Sequence, residues 1–248
     1  MLLEVSLMTV FVAALITALA TGLGAIPLAF AHRVNNRWLA VGSALAAGLM
    51  LAASHGLVTE GGAIGAWRVL LGMASGLVLI VLADRWLDRH HTPDVSDLQG
   101  ADAKKALMIV GVMTIHSFAE GIGVGVSYGG GEDLGVFITT AIAVHNIPEG
   151  LAIALVLVPR GMPVWQAAWW AVFSSLPQPL MAIPAYLFVT AFEPFLPIGL
   201  GLAAGAMIWM VFAEMLPDAL RGLSGRAVGV TVVLAFMAMF AFQLLIAY

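Results

Sequence analysis

The sequence contains no cysteine and few charged residues. Of its 248 residues none is Cys, only 10% are Asp, Glu, Lys or Arg, and 62% are hydrophobic. The absence of cysteine excludes disulfide bonds and thiolate metal sites. Because soluble domains carry about 25% charged residues, the scarcity of charge excludes an ordinary soluble domain. The mean hydropathy of +1.03 is typical of an integral membrane protein, and we expect this one to be all-α.

Long apolar runs fill most of the chain. A membrane-crossing helix needs roughly 20 apolar residues, and eight runs are long enough. The first begins close to Met1 without a basic stretch before it, which predicts a retained helix and not a cleaved signal peptide. We expect one transmembrane domain, 1–248, with a polar loop at 88–104. The eight predicted helices, called segments 1 to 8, cover about 5–31, 38–58, 65–87, 105–128, 135–158, 164–190, 197–217 and 225–247.

The basic residues predict the orientation, because cytoplasmic loops are enriched in Lys and Arg. If both termini lie outside, Arg68 alone among the ten basic residues falls outside. The loop 88–104 is then cytoplasmic. Its His90 and His91 are typical of a solvated loop, with transient metal binding as the alternative. The nine cytoplasmic basic residues would be Arg33, Arg37, Arg85, Arg89, Lys104, Lys105, Arg160, Arg221 and Arg226.

Two short stretches recur with the same offset. The letters LAAGLM at 45–50 match LAAGAM at 202–207, and AIP at 25–27 matches AIP at 182–184, both 157 residues apart. Segments 2 and 7 cross the membrane in opposite directions under the predicted topology, so the repeat is inverted. Inverted repeats are typical of secondary transporters, which bind substrate near the midplane. We therefore expect a 3+2+3 arrangement, in which segments 1–3 and 6–8 repeat around segments 4 and 5.

Segments 4 and 5 each carry an H-x-x-x-E-G hexapeptide, HSFAEG at 116–121 and HNIPEG at 145–150. On a helix, side chains four residues apart share a face, with Cβ atoms about 5–6 Å apart. Both pairs are predicted at a depth of roughly 12–15 Å, at 1.5 Å per residue. The imidazoles of His116 and His145 and the carboxylates of Glu120 and Glu149 can therefore meet at one point.

Three acidic residues are predicted deep in segments, Glu120, Glu149 and Glu214, and no Lys or Arg is. A carboxylate in hydrocarbon must be protonated, paired or bound to a cation, so a bound cation or a proton is the expected counter-ion. A lone buried His or Glu can also be a packing residue, and for Glu214 structure or gating is equally favoured. His55 could be interfacial, and periodicity alone makes Met50 a core or lipid-facing residue.

Proline and glycine predict irregular backbone near these pairs. Pro148 cannot donate to the carbonyl of Val144, which predicts a kink beside His145. The stretch SSLPQP at 174–179 predicts a second break, in segment 6. Segment 4 also has three glycines that permit close packing or leave room for a path: Gly121, Gly123 and Gly125.

These features resemble the ZIP family of Zrt/Irt-like divalent metal transporters, and most closely its GufA-like bacterial branch. The resemblance covers eight helices, outside termini, the cytoplasmic loop and the repeat. Its most specific motif is HNIPEG at 145–150. Segment 4 departs from the family pattern, with Ser117 where the family commonly has Asn.

The resemblance implies a two-metal centre. By position, the first site would use Met50, His116, Glu120, His145 and Glu149, and the second would use Ser117, Glu120, Asn146, Glu149 and Gln178. Family members often have Glu where this chain has Gln178, so with Ser117 the second site is expected to be weak or absent. The resemblance also implies an elevator-like motion of segments 1, 4, 5 and 6. The sliding surface would set Ala46 and Ala53 near Ala152 and Leu155.

Two imidazoles and two carboxylates without thiolate suit Zn²⁺, and also Cd²⁺, Fe²⁺, Mn²⁺ or Co²⁺. We therefore expect a multi-pass inner-membrane protein that takes Zn²⁺ into the cytoplasm by alternating access. Its expected partners are divalent ions, the lipid bilayer and a second copy in a homodimer, with no nucleic acid, no resident cofactor and no catalytic residue.

Three other functions are weighed against this one. An intramembrane metal-dependent enzyme is the main alternative, but H-x-x-x-E is neither the H-E-x-x-H of zinc proteases nor the E-x-x-H of di-iron proteins. A transporter of another substrate would use the glutamates as proton carriers. A non-transporting metal sensor would normally carry a sizeable soluble output domain.

Overall fold

The computed structural model describes residues 5–30, 36–90 and 101–246, and all regular structure in these ranges is helical. A π-helical turn, Val211–Met215, joins α8 to α9. Residues 91–100, which include His91 and most of the predicted cytoplasmic loop, lie outside the described residues. The helices are α1 (Leu7–Leu23), α2 (Ile26–Phe30), α3 (Asn36–His90), α4 (Ala101–Gly129), α5 (Glu132–Leu157), α6 (Val164–Ser175), α7 (Pro177–Ala191), α8 (Leu196–Met210), α9 (Leu216–Gly222) and α10 (Gly225–Ile246).

Several of these helices are long and apolar enough to cross a membrane. Large side chains such as Trp67, Trp165 and Leu245 are 69–80% exposed, as expected for a surface that faces lipid. The chain is therefore an all-α, multi-pass membrane protein. Within the described ranges, six stretches meet the length and hydropathy required: Leu7–Phe30, Arg37–Trp86, Glu132–Arg160, Val164–Ala191, Glu193–Gly222 and Gly225–Ile246.

The six stretches differ from the eight predicted segments in two places. Segments 2 and 3 form one helix, α3, which is interrupted at Gly65 by extended backbone (φ −173°, ψ 94°). Segment 4 corresponds to α4, which is not among the six. α3 reaches His90 and α4 begins at Ala101, so both helices extend into the range 88–104 predicted as a loop.

Proline acts differently in α5 and in segment 6. α5 is continuous from Glu132 to Leu157 with Pro148 inside it, so the predicted kink does not interrupt the helix; neighbouring helices make proline tolerable in membrane helices. Segment 6 does break as predicted. α6 ends at Ser175 and α7 begins at Pro177, a first-turn position where proline's missing N–H costs nothing.

Glycines bring the backbones of α1, α4, α5, α6 and α7 together in what we call the first bundle. An added methyl group at Gly150 of α5 would lie 1.7 Å from the carbonyl oxygen of Thr21 in α1. One at Gly125 of α4 would lie 2.1 Å from the carbonyl oxygen of Ala182 in α7. Small residues allow such approaches in membranes. Gly121 and Gly125 therefore serve close packing and do not line an open path. Gly123 faces Ala203.

The second bundle consists of α3, α8, α9 and α10, and glycines bind it in the same way. A methyl group at Gly72 of α3 would lie 2.1 Å from the carbonyl oxygen of Ile198, and one at Gly205 of α8 would lie 2.3 Å from that of Met73. A methyl group added at Gly48 of α3 would lie 2.3 Å from the carbonyl oxygen of Val232 in α10. Each bundle is thus held by backbone-to-backbone contact.

The surface between the two bundles is different. There, the glycines face side chains: a methyl group at Gly42 of α3 would lie 3.5 Å from Leu155 Cδ1, and one at Gly123 of α4 would lie 3.1 Å from Ala203 Cβ. A methyl group added at Gly199 of α8 would lie 2.5 Å from Val126 Cγ2. Among the described glycines, every close backbone contact with another helix lies within one bundle.

Candidate metal centre

Four ionisable side chains meet inside the first bundle. His116 and Glu120 come from α4, and His145 and Glu149 come from α5, which follows after only two residues. All four are buried, and one ligand atom from each lies within 4.8 Å of the others. The i, i+4 spacing turns each His and Glu to one face of its helix. The structure therefore brings together the four residues that the hexapeptides singled out, and their ligation of metal stays a prediction.

Glu120 lies at the middle of this cluster. Its Oε1 lies 2.6 Å from His145 Nε2 and 3.3 Å from His116 Nε2. Its Oε2 accepts a hydrogen bond of 2.6 Å from Gln178 Nε2. One carboxylate thus contacts both imidazoles and the first turn of α7.

The ring of His145 is oriented by its own helix. Nδ1 lies 3.1 Å from the carbonyl oxygen of Ala141, one turn earlier. A carbonyl only accepts, so the ring donates here when its proton is on Nδ1; with the proton on Nε2 the ring donates instead to Glu120 Oε1, at 2.6 Å. Metal-binding histidines commonly donate one ring N–H in this way, which leaves the other nitrogen as the donor atom for metal. In His145 that nitrogen is Nε2, which points into the cluster.

Several buried polar atoms around this cluster have no hydrogen-bond partner among the described residues. They are His116 Nδ1, both carboxylate oxygens of Glu149, Ser117 Oγ and Asn146 Oδ1. His116 Nε2 has only its 3.3 Å contact with Glu120 Oε1. Buried polar atoms are bonded in the large majority of cases, so orphans concentrated at one place require an explanation. Nitrogen and oxygen donors around a small volume are what a transition-metal cation binds.

A second polar layer surrounds Gln178. The Gln178 Oε1 atom accepts hydrogen bonds from Thr17 Oγ1 and, at 3.3 Å, from Asn146 Nδ2. Asn146 Nδ2 also donates to the carbonyl oxygen of Thr17 at 3.0 Å. Thr21 and Ser175 share a hydroxyl hydrogen bond of 2.9 Å. The network ties α1, α5, α6 and α7 to Glu120.

Sequence reasoning missed Thr17, Thr21 and Ser175. Thr17 and Thr21 are four residues apart in a mostly apolar helix, so they share one face, and this pairing was the available signal. Nothing in the sequence indicates that this face meets Gln178, 161 residues away.

The remaining predicted residues lie elsewhere or make no described contact with the four. Ser117 is buried beside His116, and Met50 is fully buried on α3 in the apolar core. His55 is exposed, with its ring centroid 5.6 Å from that of Phe240, as an interfacial residue would be. Glu214 is partly buried in the π-helical turn, outside the cluster.

The fold and the site define a multi-pass helical membrane protein with a buried cluster of nitrogen and carboxylate donors. The profile of the ZIP Zinc transporter family matches residues 86–247. Zinc transporter GufA of Myxococcus xanthus is 32% identical over 85% of this chain and 88% of its own length. The chain therefore belongs to the ZIP family, in its GufA-like branch, as the motifs predicted, and it falls among transporters and not enzymes.

Two further relatives are longer than this chain. A protein of Arabidopsis thaliana, whose name describes it as a candidate zinc transporter, is 48% identical over 88% of this chain. Zinc transporter ZIP11 of Homo sapiens is 30% identical over 56% of this chain. The chain spans 36% of the plant protein and its match covers 43% of the human one.

Proposed function

We propose that this chain carries divalent transition-metal cations, Zn²⁺ above all, across the inner membrane into the cytoplasm. The relatives named as zinc transporters support Zn²⁺ as the cargo. The donor set also suits Cd²⁺, Fe²⁺, Mn²⁺ and Co²⁺, because affinity among these ions follows ligand type and geometry.

The observation that carries the proposal is the set of unpartnered atoms on His116 and Glu149. Nδ1 of the first and both oxygens of the second are buried without a hydrogen bond among the described residues, and Nε2 of the first has only its 3.3 Å contact with Glu120 Oε1. Burying polar groups in this state is costly, and a cation between them would satisfy both. One divalent cation would also balance the charges of Glu120 and Glu149; among the described residues the ion-pair partners of Glu120 are the two imidazoles.

We assign the binding of the cargo to His116, Glu120, His145 and Glu149, with Met50, Ser117, Asn146 and Gln178 as weaker or supporting groups. In this centre the carboxylates would neutralise the ion while the imidazoles favour transition metals over Ca²⁺ and Mg²⁺. Water would be excluded because the four side chains are buried. Release would be helped by Glu120, whose carboxylate already has partners at His145 and Gln178.

We also propose that the first bundle moves against the second, in an elevator-like alternating access. Backbone-to-backbone glycine contacts within each bundle support two rigid bodies, and side-chain contacts between them support a surface that can slide. The predicted register of this surface needs correction. Gly42 faces Leu155, and Ala53 lies about 16 Å further along α3 at 1.5 Å per residue, too far to contact Leu155.

The single domain of eight spans in a 3+2+3 arrangement belongs to the same proposal. It counts the two halves of α3 around Gly65 as segments 2 and 3, and α4 as segment 4. Gly48 and Gly205, equivalent in the inverted repeat, support it. Gly48 packs on α10, which is segment 8, while Gly205 packs on the second half of α3, which is segment 3.

Both termini outside and a homodimer complete the proposal. With this orientation Asp133 at the start of α5 faces outside and Trp165 at the start of α6 faces the cytoplasm. Since the chain has no cysteine, single cysteines at these two exposed positions can be labelled from one side with an impermeant reagent. Labelling of the Trp165→Cys protein from outside would show that the orientation is the opposite of the one proposed. Native mass spectrometry would test the dimer.

Uptake by reconstituted protein tests the transport function. Proteoliposomes containing the chain are expected to accumulate Zn²⁺ and Cd²⁺ faster than empty liposomes, and to leave Ca²⁺ and Mg²⁺ outside, because imidazole donors favour the transition metals. Metal inside the vesicles is measured by a trapped fluorescent chelator. Equal rates with and without the protein, for every divalent ion and pH gradient tried, would reject the carrier function.

Cross-linking tests the elevator-like motion. A short bifunctional thiol reagent joining cysteines introduced at Gly42 and Leu155 is expected to stop uptake, because it ties α3 to α5 across the sliding surface. The cysteine-free background makes the two single-cysteine proteins, treated with the same reagent, the controls. Unchanged uptake by fully cross-linked protein would reject the motion and leave the metal centre untouched.

A further inference from the structure

Gln178 occupies one oxygen of the central carboxylate. Its Nε2 atom donates to Glu120 Oε2 at 2.6 Å, and Oε1 accepts from Thr17 Oγ1 and from Asn146 Nδ2. An amide nitrogen is a donor without a lone pair for metal. The opposite orientation of the amide would set Oε1 against the carboxylate and Nε2 against the donor Asn146 Nδ2, so the hydrogen-bond network selects the orientation described.

We propose that Gln178 restricts the centre to one divalent cation, because its amide occupies the Glu120 oxygen that a second cation would need. The inference rests on the proposed function, since it counts the ions held by the same centre. Gln178 acts here as a positioning and specificity-determining residue: it turns Glu120 Oε1 toward both imidazoles, which leaves one side of the carboxylate for cargo.

The charge balance of the centre also favours a single bound cation. The cluster holds two carboxylates, Glu120 and Glu149, which one divalent cation neutralises. A second cation would leave an uncompensated double positive charge in a buried intramembrane site, which is expensive. The atoms left for a second ion, Ser117 Oγ and Asn146 Oδ1, are neutral. A carboxylate at position 178 would remove the amide donor and add one of the two negative charges that a second cation requires.

Counting bound metal tests the proposal. The purified full chain is equilibrated with Zn²⁺ or Cd²⁺, and metal per chain is measured by dialysis and elemental analysis. We expect about one ion per wild-type chain and about two per Gln178→Glu chain, a twofold increase. Gln243→Glu is the matched control, because Gln243 is also a buried glutamine but lies on α10 beside Gly56; it should bind about one.

The possible results distinguish the restriction by Gln178 from the proposed metal centre on which it rests. Two ions in the wild type, or one ion in folded Gln178→Glu protein, would overturn the restriction by Gln178 while the metal centre stood. No ion in the wild type would overturn the proposed centre itself, and the inference with it. If the Gln178→Glu chain does not fold, the wild-type count decides alone, with one ion in favour and two against.

Discussion

Glu149→Gln is expected to lower Zn²⁺ uptake by roughly 100-fold or more, since losing even outer-shell partners of a metal costs 10–100-fold. Glu149 is buried, and neither of its oxygens has a hydrogen bond among the described residues. Glutamine has nearly the same shape but lacks the charge that the cargo needs. Uptake by proteoliposomes, normalised to the amount of reconstituted protein, is the measurement.

The same variant should unfold at the same or a higher temperature than the wild type when metal is chelated. A buried carboxylate without a partner destabilises the protein, and a neutral amide at the same place costs less. Zn²⁺ should then stabilise the wild type, which binds it, and leave Glu149→Gln unchanged. Glu193→Gln, the same change at an exposed site, is the control. If Glu149→Gln lost uptake and also unfolded at a lower temperature than the wild type without metal, the role of Glu149 would be structural.

The spacing of the hexapeptides carried most of the information on the site. His116 with Glu120 and His145 with Glu149 share a face in any helix, and the short connection between two antiparallel helices brings the pairs to one depth. These arguments need only local geometry. The break at Leu176 is likewise marked by the neighbouring prolines, so a single chain shows it, whereas segment 1 was predicted as one helix and is interrupted between Leu23 and Ile26.

The second polar layer could not be predicted, because it depends on which helix faces lie together. Thr17 reaches Gln178 only because α1 packs on α5 at Gly24 and Gly150 while α4 packs on α7 at Gly121 and Gly125, and a sequence does not state such pairings. Likewise, the loop between α4 and α5 is two residues, where the predicted bounds of segments 4 and 5 leave six at 129–134. Apolar content sets segment ends poorly when glycine and polar residues continue the helix.

Gly150→Ala is expected to destabilise the protein strongly, by at least about 3 kcal/mol, the upper end for overpacking by a methyl group. The added carbon would lie 1.7 Å from the carbonyl oxygen of Thr21 and 2.6 Å from its carbonyl carbon. Both are backbone atoms of α1, so no side-chain rotation relieves the overlap. The helices would have to separate beside Glu149, and the midpoint of thermal unfolding in detergent should fall.

Gly62→Ala provides the control, because nothing lies within 4 Å of a methyl group there. Alanine at this helical position should be neutral or stabilising by about 0.5–1 kcal/mol. Gly24→Ala would disturb the same contact from the α1 side, because the methyl group would lie 2.1 Å from the carbonyl oxygen of Ile147. Its unfolding temperature should fall as that of Gly150→Ala does. If both variants melted like Gly62→Ala, α1 and α5 would not be packed backbone to backbone. The centre would then lack the rigid wall that holds Thr17 against Gln178, and the network that orients Glu120 would lose its physical basis.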